Sequence, residues 1–363
     1  MPPPPLDPTT LPPLSSEDLD RLKSQIQAFI APGLVIIIGS GLSAAEGISG
    51  MGALAKHLLA EIPLRLSKGM EPAWQPIADK LGTGMGLEDV LLAHQPTDAI
   101  ETLIVAATAE LIRRDEANVV RQVIAQSRTL RLTRLLRQFI SWSEPVDMVT
   151  PNYDRLIEFA AEDAGLGVDT MFVGNALGRH DKAACAQSFV KLAPKRRGTG
   201  YRKVIVPHIR LNKPHGSLDW SICGNKPIRV APEFNPSPLI ITPGVNKYLH
   251  GYSVPFDQHR ERGNTRIDKA SRFLVIGFGF NDKHLETHLS PAIRSGKSTL
   301  ILTHTLSLQA AQLIGTRANV TGLEYSSGAG GAGTVIRRSS GDRFLPGVNL
   351  WDLGDLVREV FGG

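Results

Sequence analysis

The sequence predicts an α/β protein with a doubly wound parallel (Rossmann-like) sheet and an inserted helical subdomain. Residues 34–38 form a fully apolar, β-branched run that leads into a glycine turn, as a buried parallel strand does. Residues 273–315 alternate apolar runs with helical periodicity, the rhythm of parallel strands joined by helices. Between about 51 and 145, leucine and isoleucine recur at helical spacing without a convincing strand, which indicates the inserted subdomain.

The segments follow in chain order. Residues 1–15 hold seven prolines and little to bury, so they are predicted to form an extended Pro-rich tail. One domain is expected over residues 16–325, with the helical insertion at about 51–145 and a basic loop region at about 186–213. Residues 326–363 are expected to form a Gly-rich loop and a C-terminal helix.

Further elements are predicted from local periodicity. The stretch from 165 to 270 is expected to alternate short strands with Pro- and Gly-rich loops. The remaining predictions are strands at 146–149, 273–276 and 299–303 and helices near 155–164, 282–294, 306–315 and 352–361. Ligands of such sheets bind at the carboxyl ends of the strands, so motifs at those ends are the candidates for function.

Composition limits the classes of protein that fit. The 363 residues include only two cysteines, Cys185 and Cys223, which excludes a disulfide framework and a four-cysteine zinc site within this chain. A formal net charge of +5 is modest for this length and does not by itself predict a nucleic-acid-binding protein. No apolar run reaches the roughly 18 residues of a membrane span and no signal peptide is recognisable, so we expect a soluble, cytoplasmic protein.

A glycine-rich turn follows the first apolar run. Residues 39–47 read GSGLSAAEG, which fits the pattern G-x-G-x-x-A, in which glycines let the backbone approach a diphosphate. Such turns also serve tight packing alone. A dehydrogenase would add an acidic residue at a strand end about 20 residues on. Glu61 has that offset, but its surroundings indicate a helix end, which disfavours a dehydrogenase.

Two polar segments follow later. Residues 150–154 read TPNYD directly after a predicted strand, so Asn152 and Asp154 should project at the same edge as the glycine turn. Alternatively, Asp154 caps the next helix and Asn152 only shapes the turn. In KPHGSLDW, residues 213–220, His215 precedes a glycine that permits a sharp bend, although a lone histidine is more often structural than catalytic.

Three other patterns have weaker implications. Residues 277–282, GFGFND, form a second glycine turn after an apolar run, able to bring main chain close to a ribose or adenine. His284 and His288 share a helix face, but no third metal ligand is evident, so we predict no metal site. The basic stretch from Lys195 to Lys213 could touch nucleic acid or an acidic partner, yet such runs are usually solvated loops.

Together, the order of these elements is far more specific than any one of them. It resembles the sirtuin-like (silent information regulator 2-like) family, in particular its zinc-lacking branch of bacterial NAD-consuming antiphage defence proteins. In that branch a G-[AS]-G-x-S turn precedes T-x-N-x-D, then H-G, then a late glycine turn. The corresponding residues are 39–43, 150–154, 215–216 and 277–282, and the resemblance spans residues 34–305.

The resemblance implies roles for individual residues. Asn152 and His215 would be the catalytic pair, with Asn152 orienting the nicotinamide ribose and a water and His215 contacting a ribose hydroxyl as base or polariser. Asp154 would brace the loop or the ribose. The residues implied to hold NAD are Gly39, Ser40, Gly41, Ser43, Gly277, Gly279, Asn281 and Asp282. Cleavage of the C1′–nicotinamide bond releases a neutral leaving group, so positioning matters more than protonation.

The chain departs from the deacylase branch of that family at two places. The deacylases carry a four-cysteine zinc module after the histidine, whereas only Cys223 follows His215 here, so no zinc is expected. Their first glycine turn leads to a Phe-Arg pair, whereas residues 47–52 read GISGMG. The interval from Asn152 to His215 is long, and His208 is a competing candidate that lacks the following glycine.

The resemblance therefore implies an NAD+ glycohydrolase that releases nicotinamide and ADP-ribose, as an effector of bacterial antiphage defence by NAD depletion. It also implies a homo-oligomer and a separately encoded HerA-type ATPase partner, through which any nucleic acid would be contacted; no membrane partner is expected. This chain has no G-x-x-x-x-G-K-[ST] loop of its own. The alternatives are an NAD-dependent protein deacylase or ADP-ribosyltransferase, or a non-catalytic sensor of NAD or ADP-ribose.

Overall fold

The central feature is one large sheet with helices on both faces. The computed structural model describes residues 10–195, 199–235, 237–242, 253–328 and 331–362. Over these residues the sheet has nine strands. In spatial order they are β15 (Arg343–Pro346), β14 (Gly331–Arg337), β13 (Val320–Gly328), β12 (Ser298–Thr303), β11 (Arg272–Ile276), β1 (Leu34–Ile38), β2 (Val146–Val149), β8 (His208–Asn212) and β3 (Gly167–Asp169). The run from β3 to β13 is parallel throughout, and β14 and β15 are added antiparallel at one edge. The predicted α/β, doubly wound, Rossmann-like class is confirmed.

The strands and helices have the following bounds. The strands are β1 (Leu34–Ile38), β2 (Val146–Val149), β3 (Gly167–Asp169), β4 (Phe172–Val173), β5 (Leu177–His180), β6 (Val190–Pro194), β7 (Tyr201–Ile205), β8 (His208–Asn212), β9 (Trp220–Cys223), β10 (Lys226–Val230), β11 (Arg272–Ile276), β12 (Ser298–Thr303), β13 (Val320–Gly328), β14 (Gly331–Arg337) and β15 (Arg343–Pro346). The helices are α1 (Ser16–Phe29), α2 (Ser40–Glu46), α3 (Met51–Arg65), α4 (Glu71–Gly82), α5 (Leu87–Ala93), α6 (Asp98–Ile124), α7 (Arg131–Leu136), α8 (Leu156–Asp163), α9 (Lys182–Ser188), α10 (Phe256–Lys269), α11 (Lys283–Arg294), α12 (Leu308–Thr316) and α13 (Leu353–Phe361).

Strand β1 lies in the middle of the sheet and is buried on both faces. Ile36 and Ile38 pack into a core with side chains of α1, α7, α8 and α13. Val35 and Ile37 point to the opposite face and pack against α10, α11 and α12. Because successive residues of a strand face opposite sides, a strand covered on both faces must be apolar at every position. This explains the continuous apolar run at residues 34–38.

The stretch between β1 and β2 is helical, as its periodicity predicts. Helices α3, α4, α5 and the first half of α6 share a core of their own, centred on Leu58, Ile62, Trp74, Ile77 and Leu91. Glu61 lies within α3 and pairs with Arg65 at 2.8 Å, so it is a helix residue and not a ribose ligand at a strand end.

The prediction of a basic loop region at 186–213 is wrong in its second half. Residues His208–Asn212 form β8, an interior strand between β2 and β3. Its apolar residues Ile209 and Leu211 are fully buried, while Arg210 pairs with Asp147 of β2 at 2.9 Å. The guanidinium is tolerated because a neighbouring carboxylate neutralises it, and its charge concealed the strand pattern. The part of the region before β8 holds the β6–β7 hairpin.

The helix α10 was not predicted within the stretch 165–270. Its buried residues recur at helical spacing, but two of them are His259 and Arg262 and another is Gly263. Arg262 donates hydrogen bonds to the side chains of Asp169 and Asn212, at 2.8 and 2.7 Å. The inward face of α10 is thus polar and internally hydrogen-bonded, so hydrophobic periodicity could not reveal it.

The prediction of a Gly/Ser-rich loop at 326–333 is also wrong for its described residues. Ser326–Gly328 end β13 and pair with Gly331–Gly333 of β14, an antiparallel hairpin. A Cβ on Gly333 would lie 2.2 Å from the carbonyl oxygen of Leu345, so glycine there lets β15 approach β14. Backbone pairing, which needs no apolar side chain, holds this edge of the sheet together.

The N-terminal end of the described chain lies at this edge. Of the predicted tail, residues 1–9 lie outside the described residues. The amide of Leu14 donates to the carbonyl of Phe344, and the amide of Phe344 donates to the carbonyl of Pro12. Within the described part of the chain, no helix combines the length and the apolar character that crossing a membrane requires.

Replacement of Arg262 tests how much a buried ion pair contributes to this fold. Burial alone would raise the pKa of Asp169, but Arg262 outweighs it and holds that pKa below its ordinary value near 3.8. We expect Arg262→Met to lower the free energy of unfolding at pH 7 by about 3–5 kcal/mol, because Asp169 is left buried and charged without its partner. Urea unfolding of wild type, of the variant and of the exposed control Arg137→Met measures this difference.

The pH dependence of that difference follows from the lowered pKa. A depressed carboxyl pKa stabilises the fold above the unfolded value and loses its effect as the pH falls through the folded value. The gap between wild type and Arg262→Met should therefore narrow below about pH 3.8. A gap that stays constant from pH 7 to pH 3 would contradict the role given to the Arg262–Asp169 pair.

Candidate functional site

Four segments meet at the carboxyl ends of four adjacent strands. In the order β11, β1, β2 and β8, these strands are followed by residues 277–282, 39–43, 150–154 and 213–219. Because neighbouring parallel strands end at the same edge, the sheet brings all four predicted motifs together. The fourth arrives there through β8, the strand that the sequence pattern concealed.

A cavity of about 280 Å³ lies among these segments. One side is formed by the sheet end and the other by the start of the helical subdomain. The residues that line it are Ser40, Ser43, Ile48, Ser49, Gly50, Met51, Leu54, Glu88, Ile112, Pro151, Asn152, Tyr153, Asp154, His215, Ile241, Gly277, Phe278, Gly279, Asn281 and Asp282. Apolar side chains thus alternate with a few convergent polar groups, the usual composition of a small-molecule site.

The two glycine turns pack directly on each other. The amide of Gly41 donates to the carbonyl of Gly277 at 2.9 Å. A Cβ on Gly39 would lie 2.3 Å from that same oxygen, and a Cβ on Gly41 would lie 2.7 Å from the Cα of Gly277. Gly277 also has φ = +58°, in the left-handed region that favours glycine. These three glycines are therefore required by the contact between turns, whether or not a ligand binds.

A chain of buried hydrogen bonds fixes the side chain of Asn152. Its Nδ2 donates to the carbonyl of Gly39 at 3.0 Å and to Oγ of Ser43 at 2.8 Å. Ser43 Oγ in turn donates to Asp154 Oδ2 at 2.7 Å, and Asp154 Oδ1 accepts from the amide of Leu156. Because a carbonyl oxygen can only accept, the amide nitrogen of Asn152 must face Gly39, which leaves its Oδ1 for another donor.

His215 lines the same cavity as Asn152. Its ring is 6% exposed, and Nε2 lies 3.0 Å from Asp282 Oδ2 without the alignment of a hydrogen bond. No described residue hydrogen-bonds this nitrogen. Gly216 has φ = +88°, and a Cβ there would lie 2.0 Å from the carbonyl oxygen of Leu239. The glycine after the histidine thus makes the bend that the sequence predicts.

Beneath the loop of residues 150–154 lies a buried lysine. Lys213 is 1% exposed, and its Nζ donates to the carbonyl of Asp154 at 2.6 Å and to Ser217 Oγ at 3.0 Å. It also pairs with Glu158 Oε1 at 3.1 Å. Burial raises the pKa of Glu158, and Lys213 opposes that rise. The ammonium group therefore ties the Asn152 loop to helix α8 and to the segment that carries His215.

Two further contacts hold the loop of residues 150–154. Tyr153 donates to the carbonyl of Ile241 at 2.5 Å, and burial, followed by the negative charge of Asp282, raises the pKa of its phenol. Arg155 pairs with Glu116 of α6 at 2.6 Å, and both the side chain and the amide of Arg155 donate to that carboxylate. Helix α6 belongs to the helical subdomain, so this pair joins the subdomain to the loop.

The structure brings together most of the residues predicted to form a site. Asn152, Asp154 and His215 line one cavity, with Ser40, Ser43, Gly277, Gly279, Asn281 and Asp282. Gly39 and Gly41 are next to it but contact Gly277 and do not line it. The competing candidate His208 lies on β8, stacked on Phe189, and is not among the lining residues.

The two histidines of α11 have different surroundings. The ring of His284 lies edge-on to that of His215, with centroids 6.4 Å apart, whereas His288 contacts Asp268 at 2.9 Å. Across the described residues, no group of three or more potential ligands is arranged to hold a metal ion.

Sequence reasoning missed several residues of the site. Lys213 precedes Pro-His-Gly, but nothing in its local pattern indicates burial. Glu88, Ile48 and Met51 line the cavity from the helical subdomain, where apolar residues are expected to form a core. One signal was available in the sequence: Lys213 and His215 follow the end of a strand. This signal can be read only once β8 is recognised as a strand.

A family comparison bears on this arrangement. Residues 146–318 match the family model described as SIR2-like domain. This part of the chain, just under half of it, is similar to a SIR2-like domain. The matched part includes Asn152, Asp154, His215 and the second glycine turn, and the similarity supports an NAD-related enzyme family. Strand β1, the first glycine turn and the helical subdomain precede the matched residues.

Solved sirtuin structures align with most of the chain at low similarity. A structure of Sir2Tm bound to a propionylated peptide is 11% identical, covers 81% of this chain and 89% of its own, and has a TM-score of 0.37. A Sir2 homologue–NAD complex is 12% identical, covers 82% and 86%, and has a TM-score of 0.35. A Sir2 complex with a deacetylated peptide and 3′-O-acetyl ADP-ribose is 14% identical, covers 95% and 97%, and has a TM-score of 0.37. No curated protein matches the chain significantly.

Replacement of the buried Lys213 tests how the loop of residues 150–154 is held in place. We expect Lys213→Met to lower the free energy of unfolding by about 3–5 kcal/mol, because Glu158 and two carbonyls lose a buried partner. Adding Glu158→Gln should recover part of this loss, since the uncompensated charge is removed. Urea unfolding followed by circular dichroism measures both, with exposed Lys80→Met as the control. Strictly additive losses would contradict the coupling between Lys213 and Glu158.

Proposed function

We propose that this protein is an NAD+ glycohydrolase, which cleaves NAD+ into nicotinamide and ADP-ribose. The observation that carries the proposal is the juxtaposition, in one cavity, of an amide with a fixed orientation and a buried imidazole nitrogen without a hydrogen-bond partner. Asn152 supplies the first and His215 the second. The SIR2-like domain model supports NAD as the substrate class.

The cavity suits the nicotinamide half of that substrate. Ile48, Ile112 and Ile241 provide apolar walls for a planar ring, while Asn152 and Asp282 are placed to meet hydroxyl groups of a ribose. A volume of about 280 Å³ lies just below the range of roughly 300–1,000 Å³ that is usual for sites of drug-sized ligands, so it fits part of a dinucleotide better than the whole. We place the remaining half toward the second glycine turn, at Gly279 and Asn281.

The reaction needs positioning more than acid catalysis. When the C1′–N bond breaks, its electron pair stays on the pyridine nitrogen, and the nicotinamide leaves as a neutral molecule. The positive charge passes to the ribose, and a water oxygen forms the new bond to C1′. Asn152 Oδ1 accepts a hydrogen bond from that water or from a ribose hydroxyl, and His215 Nε2 accepts the proton that the water loses.

Asp154 acts through Ser43 in this proposal. Its carboxylate accepts from Ser43, whose hydroxyl oxygen then accepts from Asn152. Both amide hydrogens of Asn152 are thereby engaged, so the side chain cannot flip and present a donor to the ribose. Asp154 is thus a positioning residue, in agreement with the bracing role that the family resemblance implies.

The biological setting of the proposal rests on the resemblance alone. Within the zinc-lacking branch of antiphage proteins, NAD depletion is the effector step, and we propose the same for this chain. A homo-oligomer and a HerA-type ATPase partner belong to this proposal, because uncontrolled loss of NAD+ would be toxic and requires a trigger.

Substitution of the two central side chains tests the activity. We expect Asn152→Ala and His215→Ala each to reduce NAD+ hydrolysis at least about 100-fold, the effect typical of losing a positioned acid–base or orienting group. Asn118→Ala and His288→Ala, which remove the same side-chain types from exposed or half-exposed positions, should retain wild-type rates. Purified protein, alone and with the products of neighbouring genes, is incubated with NAD+ and the products are resolved by chromatography.

The products distinguish the alternatives. Nicotinamide together with free ADP-ribose supports the glycohydrolase. ADP-ribose attached to protein would indicate a transferase, and O-acetyl-ADP-ribose formed with an acetylated peptide would indicate a deacylase. Binding of NAD+ without turnover in wild type under every condition would replace the enzyme with a sensor.

A further inference from the structure

A two-stranded ribbon extends from the edge of the large sheet. It consists of β6 and β7, and we call residues 190–195 and 199–205 the β-arm. Val190 pairs with Ile205 and Pro194 pairs with Tyr201 at the two ends of the described register. Among the described residues, neither strand pairs with a third. An isolated hairpin of this size buries too little surface to be stable on its own.

The base of the β-arm is fixed to the sheet. The ring of Phe189 stacks on that of His208 in β8, with centroids 4.1 Å apart and planes inclined by 16°. The amide of Val206 donates to the carbonyl of Phe189 at 2.9 Å. A Cβ on Gly167 would lie 2.4 Å from the Phe189 ring, so the glycine in β3 makes room for this anchor. The β-arm is therefore held at a defined place beside β3.

Over the described residues, the cations of the β-arm have no carboxylate as an ion-pair partner. Lys191, Lys195, Arg202 and Lys203 are all exposed, and within the described residues none of them lies at ion-pair distance from an acidic group. The sequence contains no Asp or Glu from residue 182 to residue 218. The whole chain has a net charge of only +5, so these four cations represent a concentration of positive charge in one small element.

Cations occupy both faces of the β-arm, whereas its large exposed apolar side chains lie on one face. Leu192 pairs with Lys203, so these two share a face with Tyr201, whereas Lys191 and Arg202 lie on the opposite face. Leu192 and Tyr201 are 68% and 67% exposed. A lipid surface would meet one face of the ribbon only. A polyanion with phosphates on two sides would meet both, and it would cover the apolar residues between them.

We propose that the β-arm binds duplex nucleic acid, with the ribbon lying in a major groove. Two strands about 4.8 Å apart, with their side chains, match a groove about 12 Å wide, which admits a two-stranded β-ribbon. Leu192 and Tyr201 then face the groove floor together with Lys203. Lys191 and Arg202 lie on the outward face. These three cationic side chains are long and reach sideways to the phosphates along the two rims of the groove. This contact is made directly by the chain and does not depend on the proposed NAD+ chemistry.

Charge removal on the β-arm tests the proposal. The triple variant Lys191→Ala, Arg202→Ala and Lys203→Ala is compared with wild type, as purified full chains, by fluorescence anisotropy with a labelled 30-base-pair DNA duplex. Each lost phosphate contact reduces the salt dependence of log K by about 0.9, so we expect a change of about 2.7 for three contacts. Affinity at about 100 mM salt should fall at least tenfold.

The matched control removes the same charge from another surface. Lys68→Ala, Lys80→Ala and Arg137→Ala together change the net charge equally at exposed positions outside the β-arm, and this variant should bind DNA as wild type does. Equal loss in the two triple variants would overturn the assignment to the β-arm. Wild type that binds anionic phosphatidylserine vesicles but not the duplex would overturn nucleic acid as the ligand. Thermal unfolding confirms that each variant is folded.

A single substitution separates groove docking from simple charge attraction. Tyr201→Ser keeps every charge, so the salt dependence should remain at the wild-type value while affinity falls several-fold. Unchanged affinity of Tyr201→Ser would place the apolar face away from the nucleic acid and overturn docking in the groove. This variant also tests the proposal if the triple variant does not fold.

Discussion

The contact between the two glycine turns is the constraint on which the rest of the site depends. Gly41 and Gly277 meet backbone to backbone, so the segments that follow β1 and β11 cannot separate to admit a ligand between them. The cavity opens instead toward the segments after β2 and β8. The hydrogen bond from Asn152 to Gly39 then joins the third segment to this pair of turns. One close packing contact thus sets the positions from which the polar groups reach the cavity.

Buried charged groups hold the loop that carries Asn152. Lys213 holds the backbone of the Asn152 loop, and Glu116 holds Arg155 at the end of that loop. These groups are buried, so their interactions are strong and each partner is costly to remove. The β-arm shows the opposite arrangement, in which cations remain exposed and without acidic partners. The same chemical groups therefore maintain the site in one place and are available to a partner in another.

Much of this arrangement could be predicted from sequence, and the failures at β8 and α10 have a common cause. The run at 34–38 is apolar throughout because both faces of β1 are covered, and motifs at strand ends are found by their order along the chain. The pattern failed where charged or polar side chains stand at half-buried or buried positions of an element: Arg210 in β8, and His259 and Arg262 in α10. Each of these groups has a partner from a distant segment, and such pairing is not visible in local periodicity. The depth at which Lys213 is buried was hidden for the same reason.

The central place of β1 in the sheet determines which part of the chain can fold as a unit. Residues 146–318 are the part that matches the SIR2-like model, yet β2 and β11, both within that part, each pair with β1 and not with each other. Excised alone, the matched segment would expose two unpaired parallel edges in its interior. The portion recognisable by sequence is therefore smaller than the portion that can fold autonomously, and the residues before it complete the sheet from its centre.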